Sequence, residues 1–275
     1  MNNFFQRLFS GIGYIAMMAG AILAGKYFYG ILFLAVTLLT LYEFYRLYAG
    51  TSYPVPKVSG MAAGGLIFVI SFLSFSGLAP VKLYSLIIPV ALFLFMAEIY
   101  RKKDNPFLSL SIMFFGLIYI AVPYSLSAFL VFPAANSHLY TPGTLLGLMI
   151  LVWLNDTGAY VFGMLFGKHR LFKRISPKKS WEGAIGGTIV TLVLGYWMNF
   201  FVPSLSRTDW IVLGLLVSVF GVYGDLFESL LKRTAGVKDS GTLMPGHGGI
   251  LDRMDSLLFI IPASVAYLML KTALF

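Results

Sequence analysis

Long apolar runs recur along the whole chain, broken by short stretches rich in proline, glycine and charge. A helix that crosses a bilayer needs about 20 mostly apolar residues. By that rule the pattern predicts about nine transmembrane helices. They fall at roughly 8–25, 28–48, 59–77, 82–100, 108–132, 143–166, 183–203, 209–231 and 251–273. The first run follows Arg7 and has the look of a signal peptide, but no small-residue cleavage site precedes a soluble body. It therefore reads as an uncleaved first helix. No repeat, low-complexity tract or soluble domain interrupts the pattern. The expected fold is all-α, a polytopic integral membrane protein forming a single transmembrane domain over 1–275. Residues 1–140 supply amino-terminal helices, and 141–275 supply helices and the longer polar loops, 168–182 and 232–249.

Composition supports the membrane reading. Hydrophobic residues make up 59% of the chain and charged residues 11%, and the mean hydropathy is +0.84. Soluble domains carry about 25% charged residues, so a water-soluble domain is excluded. The absence of cysteine rules out disulfide frameworks, cysteine zinc sites, iron–sulfur clusters and thiol catalysis.

The net charge of +9 would raise nucleic acid as a partner in a soluble protein. Here it reports orientation instead, and no nucleic acid is expected. With nine spans, 16 of the 20 Lys and Arg fall on the face shared by the amino terminus and every second loop. Only Lys26, Lys82, Arg207 and Lys271 fall on the other face. The positive-inside rule makes the first face cytoplasmic, with the amino terminus inside and the carboxyl terminus outside. Glu43 and Glu98 sit near inner span ends beside Arg46 and Arg101, which reads as local interfacial ion pairs.

Three polar clusters lie on that inner side. Asn155, Asp156, Thr157 and Tyr160 sit within the sixth span, where a charge points to function and the alternative is an interhelical hydrogen bond. The loop 168–182 carries six basic residues in 15 positions. It is either a topology signal touching anionic lipid or a phosphate site. The second reading rests on Lys178, Lys179 and Ser180, with Ser180 as N-cap of the helix that starts near Trp181-Glu182-Gly183. In the third cluster Asp225, Glu228, Ser229 and Lys232 share one helix face at i, i+3, i+4 and i+7. Asp252 and Asp255 open the next helix, where carboxylates suit the dipole. Carboxylates from two helices beside Lys and Arg suit a divalent metal such as magnesium, which takes one or two protein carboxylates plus water and phosphate oxygens. The alternative is a network of ion pairs such as Glu228–Lys232 or Asp255–Arg253. His247 reads as a phosphate contact, a metal ligand or a loop cap. No P-loop or HExxH is present. The pairs Gly60/Gly64, Gly143/Gly147 and Gly183/Gly187 read as helix packing or a dimer seam.

The stretch Ser229-x-Leu231-Lys232-Arg233-x4-Lys238-Asp239-x-Gly241, continuing from Pro245-Gly-His-Gly-Gly through Asp252-Arg253-Met254-Asp255, resembles the signature of the phosphatidate cytidylyltransferase (CDP-diacylglycerol synthase) family. It departs only at Met244, where Leu, Ile or Phe is usual. Asn155 to Tyr160 and Ile175 to Gly183 are also similar to family blocks, so the resemblance covers roughly the carboxyl-terminal half. It implies the reaction of CTP with phosphatidic acid to give CDP-diacylglycerol and pyrophosphate. It further implies magnesium, a second cation such as potassium, a homodimer, and a bacterial cytoplasmic membrane with the site open to the cytoplasm. Asp225 and Asp252 match the metal positions, with Ser229 close by. On that basis Lys232, Arg233 and Lys238 neutralise the lipid phosphate or the pyrophosphate, and Lys178, Lys179 and Ser180 bind the triphosphate. Asn155 and Asp156 shape the cavity or serve the second cation, and Asp239 and Asp255 orient the basic residues. Glu182, His247 and Arg253 complete the substrate-binding set. Two rival readings are a CTP-dependent polyprenol or dolichol-type lipid kinase and a proton-coupled secondary transporter. The nearly charge-free outer half of the spans gives a transporter no through-path.

Overall fold

A computed structural model describes residues 3–48, 55–102, 105–132, 139–241, 243 and 248–274. The described chain is a series of helices: α1 (Asn3–Leu23), α2 (Lys26–Leu47), α3 (Lys57–Phe75), α4 (Ile87–Ile99), α5 (Pro106–Gly116), α6 (Val122–Val131), α7 (Gly143–Phe166), α8 (Trp181–Phe201), α9 (Arg207–Thr234) and α10 (Leu251–Leu274). A 3₁₀ turn, Val81–Leu86, leads into α4, and a π turn, Leu117–Ala121, joins α5 to α6. Pro123 accounts for that turn, because it has no N–H to bond the carbonyl four residues back.

Eight helical stretches among the described residues are long and apolar enough to cross a membrane, counting Val81–Ile99 and Pro106–Val131 as one each. The chain is thus a multi-pass helical membrane protein. The first predicted span does form a helix, but its apolar part, Ser10–Leu23, is shorter than the others.

The fold departs from the all-α expectation in one place. Within 168–182, β1 (Arg170–Phe172) pairs antiparallel with β2 (Ser176–Ser180), Arg170 opposite Ser180 and Phe172 opposite Ser176. Basic residues and Pro177 hid the strands from pattern reading. A two-stranded ribbon tolerates proline because each strand has an open edge.

The chain divides into two compact units, Met1–Tyr140 with Asp239–Arg253, and Thr141–Lys238 with Met254–Phe275. In the first unit, α2 is held by tyrosines that span between helices. Tyr29 Oη and Ser127 Oγ share a 2.6 Å hydrogen bond, and Tyr45 Oη donates to Met113 O at 2.9 Å. Gly60 and Gly116 leave room for the Tyr45 ring, since a Cβ at either would sit 2.7 Å from it. Sequence reading also misplaced Glu43, which lies two residues before Tyr45. Instead of an interfacial pair with Arg46, its carboxylate is buried and bonds to Ser240 and Leu251. Glu98 does pair locally, with Arg101 at 2.7 Å.

In the second unit, glycines set the spacing of α7, α8 and α9. A Cβ on Gly183 would meet Ala159 O at 2.7 Å, and one on Gly187 would meet Asn155 O at 2.9 Å. The Gly183/Gly187 pair is therefore a packing seam between α7 and α8. Gly195 repeats the device on α9, with Trp210 O 2.7 Å away. Helix α9 starts with a reciprocal capping box of Ser206 and Asp209, which satisfies two otherwise orphaned N–H groups. Asp209 also accepts from Lys271 Nζ at 2.6 Å and Tyr267 Oη at 2.8 Å, tying α10 to the start of α9.

Because the Gly195 contact is with backbone, a methyl there cannot be relieved by a rotamer change. Gly195→Ala is expected to cost about 1–3 kcal/mol, read as a lower Tm of the detergent-solubilised protein. Gly20→Ala, with nothing within 4 Å of its Cβ position, should not lower it.

Candidate functional site

The second unit contains a cleft of about 530 Å³ lined by Asn155 and Asp156 of α7, Lys178, Lys179 and Ser180 of β2, and Asp225 of α9, among others. Six residues singled out from the three polar clusters thus meet in one cavity. The hairpin makes this possible. Ser180 ends β2 and caps α8, its Oγ accepting from Gly183 N at 3.1 Å, as the sequence suggested. The other end of the hairpin is fixed by Glu182 in the first turn of α8. Its carboxylate accepts from His169 N at 3.1 and 3.2 Å and meets His169 Nδ1 at 2.6 Å. Trp181 N donates to His169 O at 2.9 Å, and Arg170 Nη1 to Lys178 O at 3.3 Å. The basic strand is thereby held beside the start of α8, where backbone N–H groups and the dipole favour anions.

Asp225 is the polar centre of the cleft. Its Oδ2 lies 2.6 Å from Lys179 Nζ, and Ser229, one turn on, donates to its Oδ1 at 3.2 Å. The Asp225 side chain is 36% exposed and that of Lys179 27%, so both remain within reach of a ligand. Asp255 of α10 sits close by: a Cβ on Gly224 would meet Asp255 O at 2.7 Å. The charges of Asp225, Asp156 and Lys179 all act on Asp255, whose Oδ1 accepts from Ser256 N at 2.6 Å. Asn155 is buried and accepts from Thr191 Oγ1 at 3.1 Å, while Asp156 is exposed.

Other expected site residues are placed differently. Lys232 Nζ pairs with Glu228 Oε2 at 2.7 Å, and the Glu228 side chain is only 1% exposed. Arg233 is exposed and donates to Val237 O at 3.2 Å. Lys238, Asp239 and Arg253 are exposed. Glu182 acts on the hairpin rather than lining this cleft; it borders a neighbouring basic hollow with Lys168, Arg170 and Lys173. Asp252 belongs to the first unit, where its Oδ2 accepts from Ser240 N at 3.0 Å and Gly249 N at 2.7 Å. His247 lies outside the described residues. Sequence reasoning missed Arg170, which lines the cleft, and the role of Glu43. Arg170 was counted only as loop charge. Glu43 and Glu98 each have an arginine three residues on, so nothing local set them apart.

A cleft that gathers lysines, a capped helix start and carboxylates has the chemistry to hold phosphate groups. The profile of the cytidylyltransferase family matches residues 5–271. The chain belongs to the cytidylyltransferase family. The match extends through the first half, where sequence reading found only compatible hydropathy. Among curated relatives, the phosphatidate cytidylyltransferases of Staphylococcus aureus (strain COL) and Staphylococcus haemolyticus (strain JCSC1435) are each 53% identical over 115 residues. That of Staphylococcus saprophyticus is 50% identical over 114 residues. Each alignment covers 41% of this chain and 44% of the relative, so the chain spans less than half the length of the curated relatives it matches.

Ser180 bears on both the hairpin and the cleft. Ser180→Ala removes the cap of α8 and is expected to cost about 1 kcal/mol, measured as a drop in Tm. Phosphate-bearing ligands should also bind more weakly, measured by titration of the same protein.

Proposed function

We propose that this chain is a magnesium-dependent phosphatidate cytidylyltransferase, converting CTP and phosphatidic acid to CDP-diacylglycerol and pyrophosphate. The observation that carries the reading is the convergence of Lys178, Lys179, Ser180, Asp156 and Asp225 on one cleft in a chain of this family. Family membership alone would not distinguish lipid from other acceptors. The names of the curated relatives and the multi-pass helices favour the lipid.

A magnesium ion fits the donor set. Among the described residues no group of three or more His, Cys, Asp and Glu is arranged to hold a metal. Magnesium needs only one or two protein carboxylates, with water and substrate phosphates filling the remaining positions, and the Asp225 side chain is 36% exposed to the cleft. Asp225 in the second unit and, by the sequence signature, Asp252 in the first are the proposed carboxylates. Bound there, the ion would supply charge neutralisation for the nucleotide phosphates and the leaving oxygen. Asp156 is the proposed contact for a second cation such as potassium.

In the reaction, a non-bridging oxygen of the phosphatidate phosphate attacks the α-phosphorus of CTP. The new P–O bond forms as the bond to the β-phosphate breaks in line, and pyrophosphate departs with that electron pair. A phosphate monoester has a second pKa near about 6, so the nucleophile is already largely ionised and no strong general base is needed. The task of the chain is to bring two polyanions together. Lys178, Lys179 and the Ser180-capped start of α8 hold the triphosphate, and the bound CTP orients its α-phosphorus in the cleft. Arg233 and Lys238 neutralise the lipid phosphate or the pyrophosphate, with Lys232 contributing from its pair with Glu228. Asp239 and Asp255 orient these cations, and Arg253 and His247 complete the polar surface. The acyl chains stay in lipid.

The site faces the cytoplasm of a bacterial inner membrane, the chain works as a homodimer, and α1 makes a ninth span. Sorting of Lys and Arg supports that topology. The chain has no cysteine, so single cysteines report sides directly. In intact cells an impermeant maleimide should label Ser204→Cys, and should label Arg174→Cys only after permeabilisation. The reverse pattern overturns the orientation.

The deciding assay supplies α-labelled CTP, phosphatidic acid and magnesium to purified protein. Label should enter the lipid phase, require magnesium, and fall by about a hundredfold or more in Asp225→Asn and Asp252→Asn. Lys179→Ala should raise the KM for CTP. Transfer from γ-labelled CTP to a polyprenol, with no α-label transfer, would replace this reading by a lipid kinase.

A further inference from the structure

Helix α10 begins without a cap of its own. The residue before it is Ile250, which offers no side-chain acceptor to the orphaned N–H groups at a helix start. The acceptor comes from α2 instead. Glu43 Oε2 accepts from Leu251 N, the first residue of α10, at 2.8 Å, and from Ser240 Oγ at 3.1 Å. A carboxylate is the side chain best suited to a helix N-terminus. Glu43 is 1% exposed, and its Oε1 is buried with no hydrogen-bond partner among the described residues.

The segment around it is shaped to this carboxylate. A Cβ on Gly241 would lie 2.5 Å from Glu43 Oε1, and one on Gly249 would strike Glu43 Oε2 and Ser240 Oγ. Neither glycine has a left-handed backbone, so close approach explains their lack of a side chain. Ser240 then passes the restraint on. Its N and its Oγ both lie 3.0 Å from Asp252 Oδ2, to which Gly249 N also donates at 2.7 Å. Glu43 thus fixes two residues beside Asp252: Ser240, which donates to it, and Leu251, which precedes it.

We propose that Glu43 is a positioning residue for cytidylyl transfer, clamping Ser240 and Leu251 so that Asp252 is held in one orientation. The proposal rests on the cytidylyltransferase reading and on Asp252 acting in that reaction. Glu43 touches neither substrate, so its effect should fall on turnover rather than on nucleotide binding. Misplacement of a reacting group by about 1 Å can cost about a hundredfold in rate.

The test uses the full chain in detergent with three variants, Glu43→Ala, Glu43→Gln and Ser240→Ala, and two readouts. In the first, kcat should fall about tenfold or more in Glu43→Ala, with the KM for CTP within about twofold of the parent. Glu43→Gln keeps one oxygen acceptor and should recover a large part of the loss. In the second, amide hydrogen exchange over 248–253 should speed up in Glu43→Ala and Ser240→Ala, while α3 keeps its protection. Parent kcat in Glu43→Ala overturns the proposal. So does faster exchange spread equally through α2 and α3, which would mark general packing. If Glu43→Ala does not fold, Ser240→Ala decides: unchanged kcat and unchanged exchange overturn the clamp. If the parent protein transfers no label, the enzymatic reading fails, and the exchange contrast still reports whether Glu43 holds the segment.

Discussion

A carboxylate near lipid is tolerated only where cations or hydrogen-bond donors meet it, and that constraint separates two kinds of acid in this chain. Glu43, Glu228 and Asp209 are each about fully buried, at 1% exposure, and each is bound to a fixed group: Leu251 N, Lys232 and Lys271 respectively. Their cost of desolvation is offset inside the protein, and their task is to join segments. Asp225 and Asp156 differ. Both line an open cleft, and Asp225 keeps over a third of its side chain exposed. The three structural acids are sealed, whereas Asp225 and Asp156 lie open to a ligand.

Close helix packing decides where that opening occurs. In the second unit, glycines bring α7 and α8 into backbone contact at Gly183 and Gly187, leaving no room between the helices there. The hairpin emerges just before this seam and returns its basic strand to the first turn of α8. The polar groups of α7, β2 and α9 therefore converge at the end of a tightly packed bundle, where a cavity can be wet without exposing backbone to lipid.

Much of this was legible in the sequence. Span positions follow from hydropathy, because lipid requires long apolar helices. Ser180 as a cap and the Gly183/Gly187 seam follow from local chemistry, and each depends on residues within one or two turns. The shared helix face of the third polar cluster made Asp225 and Ser229 conspicuous, although the placement of Asp225 against Lys179 needed the hairpin. What stayed hidden depends on contacts distant in sequence. Glu43 bonds to residues about 200 positions away (|i−j| of 197 and 208), and its i+3 arginine suggested a local pair that Glu98 does form and Glu43 does not. The Glu228–Lys232 pair, one turn apart, was among the ion pairs the spacing offered; the burial of Glu228 was not legible there.

The Lys179–Asp225 pair links nucleotide and metal on the proposed reading. Before substrate arrives, the lysine neutralises the Asp225 carboxylate at 2.6 Å. A triphosphate competes for Lys179. Once that ammonium turns toward phosphate, Asp225 is a partly buried carboxylate left with the neutral Ser229 hydroxyl as a donor. Leaving it so is unfavourable at the low effective dielectric of a lipid-bordered cleft. On the proposed reading a divalent cation entering with the nucleotide would restore the balance, and Asp225 would be the carboxylate that holds it. The same exchange disfavours either partner alone: the cation must displace Lys179 without a phosphate to receive it, and the nucleotide must strip Asp225 of its counter-charge. On that reading, charge balance within one cleft favours joint entry.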